Sequence, residues 1–373
     1  MNKVQQLAEI GQSIWYDNIE RGMLENGEMA GMIARGEIRG VTSNPSIFMN
    51  AVTRTTDYDT GLRSSADSGQ SPEEVFWELA IEDIRNAADL FRPLYEVTKG
   101  GDGFVSLEVG PAQANDTEAT IAEARRLWAL VDRPNVMIKI PATQAGIPAI
   151  TAATAEGINV NITLIFARER YAAVMDAFLR GLEQRVAEGK SIDHIASVAS
   201  FFVSRVDSNV DKQLEAIVDE GGTQAAEAES LLGKAAIANA KLAYADFQRV
   251  FSSGRFVALH AKGARVQRPL WASTSTKNPA YRDVIYVEEL IGPDTVNTVP
   301  QNTLTALLDH AMIRPTLETG VDEARAVIGR LAALGINMPD VTHQLEIEGV
   351  QAFTDAFTTL LAAIEKKQAA VVA

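Results

Sequence analysis

Lys139 lies inside the apolar run Val136-Met137-Ile138-Lys139-Ile140-Pro141, a setting in which a charged amine is costly to bury. Burial disfavours the ammonium form of such a side chain, and the neutral amine can attack a ketone to give a Schiff base. The plain alternative is a surface lysine whose stem lies along apolar neighbours with its head in water. Polar residues at the ends of other apolar segments bear on the choice. Asp17 follows Ile14-Trp15-Tyr16, Asn44 follows Val41-Thr42-Ser43, Glu108 follows Val105-Ser106-Leu107, and Asn161 and Thr163 stand within 160–166. Glu108, flanked by Leu107 and Val109, needs a partner if buried. The others each have a structural reading too: a helix cap for Asp17, an Asx turn for Asn44 before Pro45, strand propensity for Thr163.

The elements that must gather these groups are short β-branched segments separated by helical patterns. The spacing predicts strands over 14–17, 40–43, 104–109, 136–140, 159–166, 197–203, 256–261 and 295–299. Eight such alternations favour a closed (β/α)8 TIM barrel with additional C-terminal helices. They favour it over an open doubly wound sheet, whose nucleotide fingerprints GxGxxG and GxxxxGK[ST] are missing. Gly100-Gly101-Asp102-Gly103 precedes a strand and reads as a turn. In a barrel Met137 and Lys139 face inward while Val136, Ile138 and Ile140 face the helices, and catalytic groups collect at the C-terminal ends of strands.

Ser71-Pro72-Glu73-Glu74 is a capping box with proline at the first helical position, followed by Phe76, Ala80, Ile84, Ala87 and Phe91 at helical spacing. Val350, Phe353, Phe357, Leu360 and Ile364 carry the same spacing into a C-terminal helix over 338–366. The chain is expected to form one domain over 1–373. A surface insertion is expected at 51–70, its polar part, 53–70, reading as a loop, and the residues from Lys366 to Ala373 as a frayed tail.

The net charge of −15 and the absence of a Lys/Arg block argue against nucleic acid and anionic membranes as partners, so a phosphorylated ligand must be held by local cations. With no cysteine there is no disulfide, thiolate nucleophile or Cys-ligated metal, and a reducing cytoplasm fits best. The four histidines, His194, His260, His310 and His343, have no metal-ligand spacing, and no cofactor is expected. Neither export nor membrane spanning is expected, since residues 1–9 lack an apolar core segment and no stretch approaches about 18 uninterrupted apolar residues. Composition leaves room for a homo-oligomer.

Six ordered segments resemble the transaldolase family of Schiff-base-forming class I aldolases. They are Trp15-Tyr16-Asp17, Thr42-Ser43-Asn44-Pro45-Ser46, Ser106-Leu107-Glu108-Val109, Ile138-Lys139-Ile140-Pro141-Ala142-Thr143 with Gly146-Ile147, Asn161-Ile162-Thr163-Leu164, and Ser200-Phe201-Phe202-Val203-Ser204-Arg205, and the resemblance spans roughly residues 15–268. It implies metal-free transfer of a dihydroxyacetone unit from a ketose phosphate to an aldose phosphate. Lys139 would form the imine, Asp17 would exchange the C4 hydroxyl proton, and Glu108 and Thr163 would handle protons through a shared water. Asn44 and Asn161 would hold the dihydroxyacetone hydroxyls, and Ser200, Arg205 and a second arginine, Arg268 in preference to Arg265, would hold phosphate.

For Arg205 the plain alternative is an ion pair with Asp207 or Asp211 at a helix start. The sequence departs from the better-known members, which have Ser-Pro-Phe-Val-Gly-Arg in the last segment, and residues 53–70 and 267–278 read as inserted. A fructose 6-phosphate aldolase releasing free dihydroxyacetone and a non-catalytic sugar-phosphate-binding barrel are the competing readings.

Overall fold

Strands buried on both faces need helices outside and side chains inside, and the chain meets both needs by closing on itself. The computed structural model describes residues 1–67 and 69–372. The strands are β1 (Gln12–Tyr16), β2 (Gly40–Val41), β3 (Phe104–Glu108), β4 (Val136–Pro141), β5 (Val160–Ile165), β6 (Ser197–Phe202), β7 (Arg268–Ala272) and β8 (Thr295–Val299). Each pairs in parallel with the next and β8 pairs with β1, so the sheet is a closed eight-stranded barrel. Outside helices include α1 (Pro45–Arg54), α2 (Asp59–Asp67), α3 (Pro72–Val97), α4 (Ser204–Glu220), α5 (Ala235–Phe251), α6 (Gly254–His260) and α7 (Met338–Val372). Among the described residues, no helix is long and apolar enough to cross a membrane.

The alternation of β4 sorts its side chains as the two-residue period requires. Val136, Ile138 and Ile140 join the core between barrel and helices, whereas Met137 packs inside with Trp15, Phe104, Val198, Leu270 and Val296. Register sets Glu108 beside Lys139 and Lys139 beside Asn161, so three neighbouring strands present polar side chains in one row. β2 is short, and Gly40 is needed there: a Cβ would come within 2.7 Å of the Trp15 ring. The lower end of the barrel is closed by the turn before β3. Asp102 accepts from Ser13 Oγ (2.7 Å), Trp15 Nε1 (3.1 Å) and Arg39 Nε (2.7 Å).

Three expectations are corrected. Residues 256–261 are not the seventh strand but most of α6: Ser253 caps the helix by accepting from the Phe256 amide, and Phe256 and Leu259 are buried while Val257 is 57% exposed. A one-sided burial of this kind belongs to a helix, and the true strand β7 lies in the segment 267–278 that reads as an insertion. Second, the loop expected over 53–70 contains α2, with Tyr58 and Leu62 fully buried, though Ser68 lies outside the described residues.

Third, the C-terminal helix does not stop at 366 but runs to Val372, and only Ala373 of the expected frayed tail lies outside the described residues. Lys367 Nζ donates to the carbonyls of Val52 (2.6 Å) and Thr55 and pairs with Asp59 at 3.0 Å. Gln368 donates to Ser65 Oγ at 3.2 Å, so the end of α7 is docked on α1 and α2. Polar side chains hide this because their partners lie some 300 residues earlier in the chain.

Candidate active site

The C-terminal ends of the strands open into a pocket of about 570 Å³ whose wall includes Asp17, Asn44, Glu108, Lys139, Thr163, Ser200 and Arg205. Lys139, only 9% exposed, sends its Nζ to 3.1 Å from Glu108 Oε2 and 3.3 Å from the Ser43 carbonyl. Removing either member of such a buried pair strands the other and costs about 3–5 kcal/mol. Burial pushes the Glu108 carboxyl above its ordinary value, and the Lys139 amine works against that rise. Burial raises Asp17 as well, opposed by Lys139, by the hydrogen bond from Thr42 and by Lys277.

The segment after β2 serves three of these groups in consecutive residues. Thr42 Oγ1 donates to Asp17 Oδ1 at 2.7 Å, the Ser43 carbonyl faces Lys139, and Asn44 caps α1 by accepting from the Ile47 amide at 3.1 Å. Pro45 at the first helical position makes the turn from strand to helix abrupt. The cap fixes Asn44 Oδ1 on the backbone, which leaves the amide Nδ2 to the pocket it lines.

On β5 the register shifts between Ile162 and Ile165 and Leu164 has φ 60°, so both Thr163 and Leu164 reach the pocket. Asn161 is fully buried in the row beside Lys139. Its Nδ2 donates to Ser106 Oγ (3.0 Å) and its Oδ1 accepts from Ser200 Oγ (2.7 Å), so it holds the floor and does not line the pocket. The Thr143 and Gly146 of the lysine segment are structural: the Thr143 hydroxyl donates to the Ala114 carbonyl and accepts from the Gly146 amide, and a Cβ at Gly146 would sit 2.1 Å from the Pro141 carbonyl oxygen.

Arg205 stands in the first turn of α4 with its guanidinium over the Phe202 ring at 5.5 Å. Burial lowers it from its ordinary value, and Glu348 on α7 opposes the fall. The alternative pairing with Asp207 or Asp211 does not form: Asp207 accepts from Ala236 N and Tyr286 OH, and Asp211 from Gly233 N and Tyr281 OH. Among the described residues Arg205 has no carboxylate within salt-bridge distance, and its side chain lines the pocket beside the Phe202 ring.

The second arginine expected at this site is elsewhere. Arg268 is the first residue of β7, so it lies at the opposite end of the barrel from the strand C-termini. It donates to the carbonyl of Gly101 (3.1 Å), to Ser13 Oγ (2.8 Å) and to the Thr295 carbonyl, and approaches Asp102 at 3.5 Å. Arg265 donates to the carbonyls of Gly100 and Lys99 at the same end. Both line a separate cavity of about 340 Å³ with Arg39 and Asp102. The displaced strand is the reason: with β7 put at 256–261, Arg268 appears to follow a strand that it in fact begins.

The end of β7 and the residues after it bring Ala272, Ser273, Thr274, Ser275 and Lys277 to the pocket, and Lys277 Nζ lies 2.7 Å from Ser275 Oγ. They were legible only as part of Ala272-Ser273-Thr274-Ser275-Thr276-Lys277, a polar run directly after an apolar strand. Phe353, with Gly349, Ala352 and Ala356 of α7, forms the outer wall. A Cβ at Gly349 would come within 3.1 Å of Leu164 Cδ2, so the small residues let α7 lie close over the barrel mouth.

A family model described as Transaldolase/Fructose-6-phosphate aldolase matches residues 14–364. A protein named transaldolase from Thermobifida fusca (strain YX) is 53% identical over 368 residues, 98% of each chain. One of the same name from Saccharopolyspora erythraea is 50% identical over 367 residues, again 98% of each. Another, from Trichodesmium erythraeum (strain IMS101), is 47% identical over 372 residues, 98% of this chain and 97% of its own.

Proposed function

Because the chain belongs to the transaldolase/fructose-6-phosphate aldolase family, we propose that it moves a dihydroxyacetone unit between sugar phosphates through an imine on Lys139. The donor is fructose 6-phosphate or sedoheptulose 7-phosphate and the acceptor glyceraldehyde 3-phosphate or erythrose 4-phosphate, which are exchanges of the pentose phosphate pathway. The single observation carrying this reading is the shared pocket: Lys139 Nζ at 3.1 Å from Glu108, with Asp17 and Arg205 on the same wall.

The neutral Lys139 amine adds to the ketose carbonyl, giving a carbinolamine that loses water to become a protonated imine. Glu108, raised by burial and in contact with the amine, takes and returns the protons of this step through a water shared with the Thr163 hydroxyl. Asp17 removes the C4 hydroxyl proton as the C3–C4 bond breaks. The departing aldose takes the new carbonyl, and the electron pair moves into the imine as an enamine. An incoming aldehyde is attacked by the enamine carbon, Asp17 returns the proton to the new hydroxyl, and hydrolysis frees Lys139.

Asn44 Nδ2 holds a dihydroxyacetone hydroxyl while the enamine waits, and Asn161 acts from beneath by orienting Ser200. Arg205 and Lys277, with the Ser273 and Ser275 hydroxyls, take the phosphate of donor or acceptor, against the overall negative field. Borohydride reduction in the presence of fructose 6-phosphate, followed by peptide mapping, tests the reading. A reduced three-carbon adduct on Lys139 is expected, and an unmodified Lys139 in turning-over enzyme overturns it. Release of free dihydroxyacetone at the rate of transfer, with no acceptor added, would assign the aldolase reaction instead.

A further inference from the structure

The two cations proposed for the phosphate come from different elements, and one of them is poorly anchored. Arg205 is held in the first turn of α4 over Phe202. Lys277 is exposed, with Ser275 Oγ as its one hydrogen-bond partner among the described residues, on the connection between β7 and the helix Ile285–Glu288. A lysine is a point charge on a flexible stem, so its position relative to Arg205 depends on what fixes that connection.

The start of the connection is tied to α4 through Ser273: its carbonyl accepts from the Ser204 amide at 3.1 Å and the two hydroxyls lie 3.0 Å apart. Its far side is tied by two phenols. Tyr281 OH donates to Asp211 Oδ2 at 2.8 Å and Tyr286 OH to Asp207 Oδ2 at 2.7 Å. Asp207 and Asp211 are one helical turn apart, two and six residues after Arg205, and so share a face of α4. Each carboxylate gives its other oxygen to a backbone amide, Ala236 N at 2.7 Å and Gly233 N at 2.9 Å. The phenols therefore meet acceptors that are already fixed. The Tyr281 ring lies against Gly233, where a Cβ would be 2.8 Å from the ring.

We propose that Tyr281 and Tyr286 are positioning residues for the phosphate end of the pocket, which they build by clamping the segment carrying Lys277 to the helix carrying Arg205. This rests on the proposal that Lys277 and Arg205 receive the substrate phosphate. The ligand in question is the terminal phosphate of an open-chain sugar, and the clamp sets the spacing of the two cations that meet it. Tyr281 is the more telling of the pair, being four residues from Lys277 and only partly buried, so its hydroxyl can be removed with little repacking.

The test compares Tyr281→Phe, Lys277→Met and the double variant in cleavage of fructose 6-phosphate and of fructose, with the melting temperature of each recorded. Loss of a hydrogen bond to a charged acceptor is expected to raise KM for fructose 6-phosphate about 10-fold in Tyr281→Phe, with kcat nearly retained and fructose cleavage unchanged. Asp211→Asn, whose Oδ1 can keep the Gly233 amide while its Nδ2 donates to the phenol oxygen, should retain most of the affinity. Because Tyr281 acts through Lys277, the double variant should bind fructose 6-phosphate no worse than Lys277→Met alone. An equal loss on fructose, or additive losses in the double variant, would overturn the clamp while leaving the Lys277 assignment intact. If Lys277→Met itself leaves the preference for the phosphorylated sugar unchanged, the premise fails and the clamp with it.

Discussion

Lys139 and Glu108 form a pair in which neither member is comfortable alone, and this gives a stability experiment independent of turnover. In Lys139→Met the amine that holds Glu108 down is gone, so the carboxyl rises further above its unfolded value. A group raised on folding adds stability that is complete below its unfolded value and is lost as pH rises through its folded value. Urea unfolding should therefore find the variant's deficit larger at pH 8 than at pH 5; a deficit independent of pH would mean that Glu108 is held by something other than Lys139. The same sign applies to Asp17, which Lys277 helps to keep low against burial. Removing that cation in Lys277→Met should move the acid limb of kcat/KM for fructose 6-phosphate to higher pH, and a limb that stays or moves down would detach Asp17 from the base role.

Each element near the pocket has both a structural and a chemical task. The residues after β2 cap α1 and at the same time steady Asp17 and Lys139, which is why Thr42-Ser43-Asn44-Pro45 reads as a motif and not as a loop. The helix α7 covers the barrel mouth with small residues and Phe353, and it is held there from its far end, where Lys367 reaches the carbonyls of Val52 and Thr55 and the carboxylate of Asp59. Phe357 packs edge-on against Phe76 of α3 at 5.3 Å, so the covering helix is also anchored midway. Lys367→Ala should lower unfolding stability by about 1–3 kcal/mol, the scale of a partly buried charge-assisted hydrogen bond. Calorimetry settles it: a frayed tail would tolerate the change with no shift in melting temperature.

For the molecule as a whole, carboxyls buried without a cation couple folding to pH. Asp207 is pushed up to about 6, first by burial, with the hydrogen bonds from Tyr286 and Ala236 acting the other way. Its unfolded value is the ordinary 3.8, so the folded chain binds the extra proton between the two, and stability from this site drains away as pH rises through 6. Asp207→Asn should therefore lose less stability than the parent between pH 4 and pH 7 in thermal scans, whereas an unchanged slope would assign that loss to other groups. Strand period and burial cost are local properties, so the alternation that closes into a barrel, the inward parity of Lys139 and the candidates at strand ends are written in the order of the residues. Which strand is the seventh emerges only in the folded chain, and with it that Arg268 closes the lower end while Lys277 reaches the pocket. Residues 256–261 and 268–272 are both short apolar runs, and what separates helix from strand there is which faces find a neighbour. The docking of residues 366–372 was equally hidden, since its acceptors are backbone carbonyls and side chains brought close only when the chain has folded.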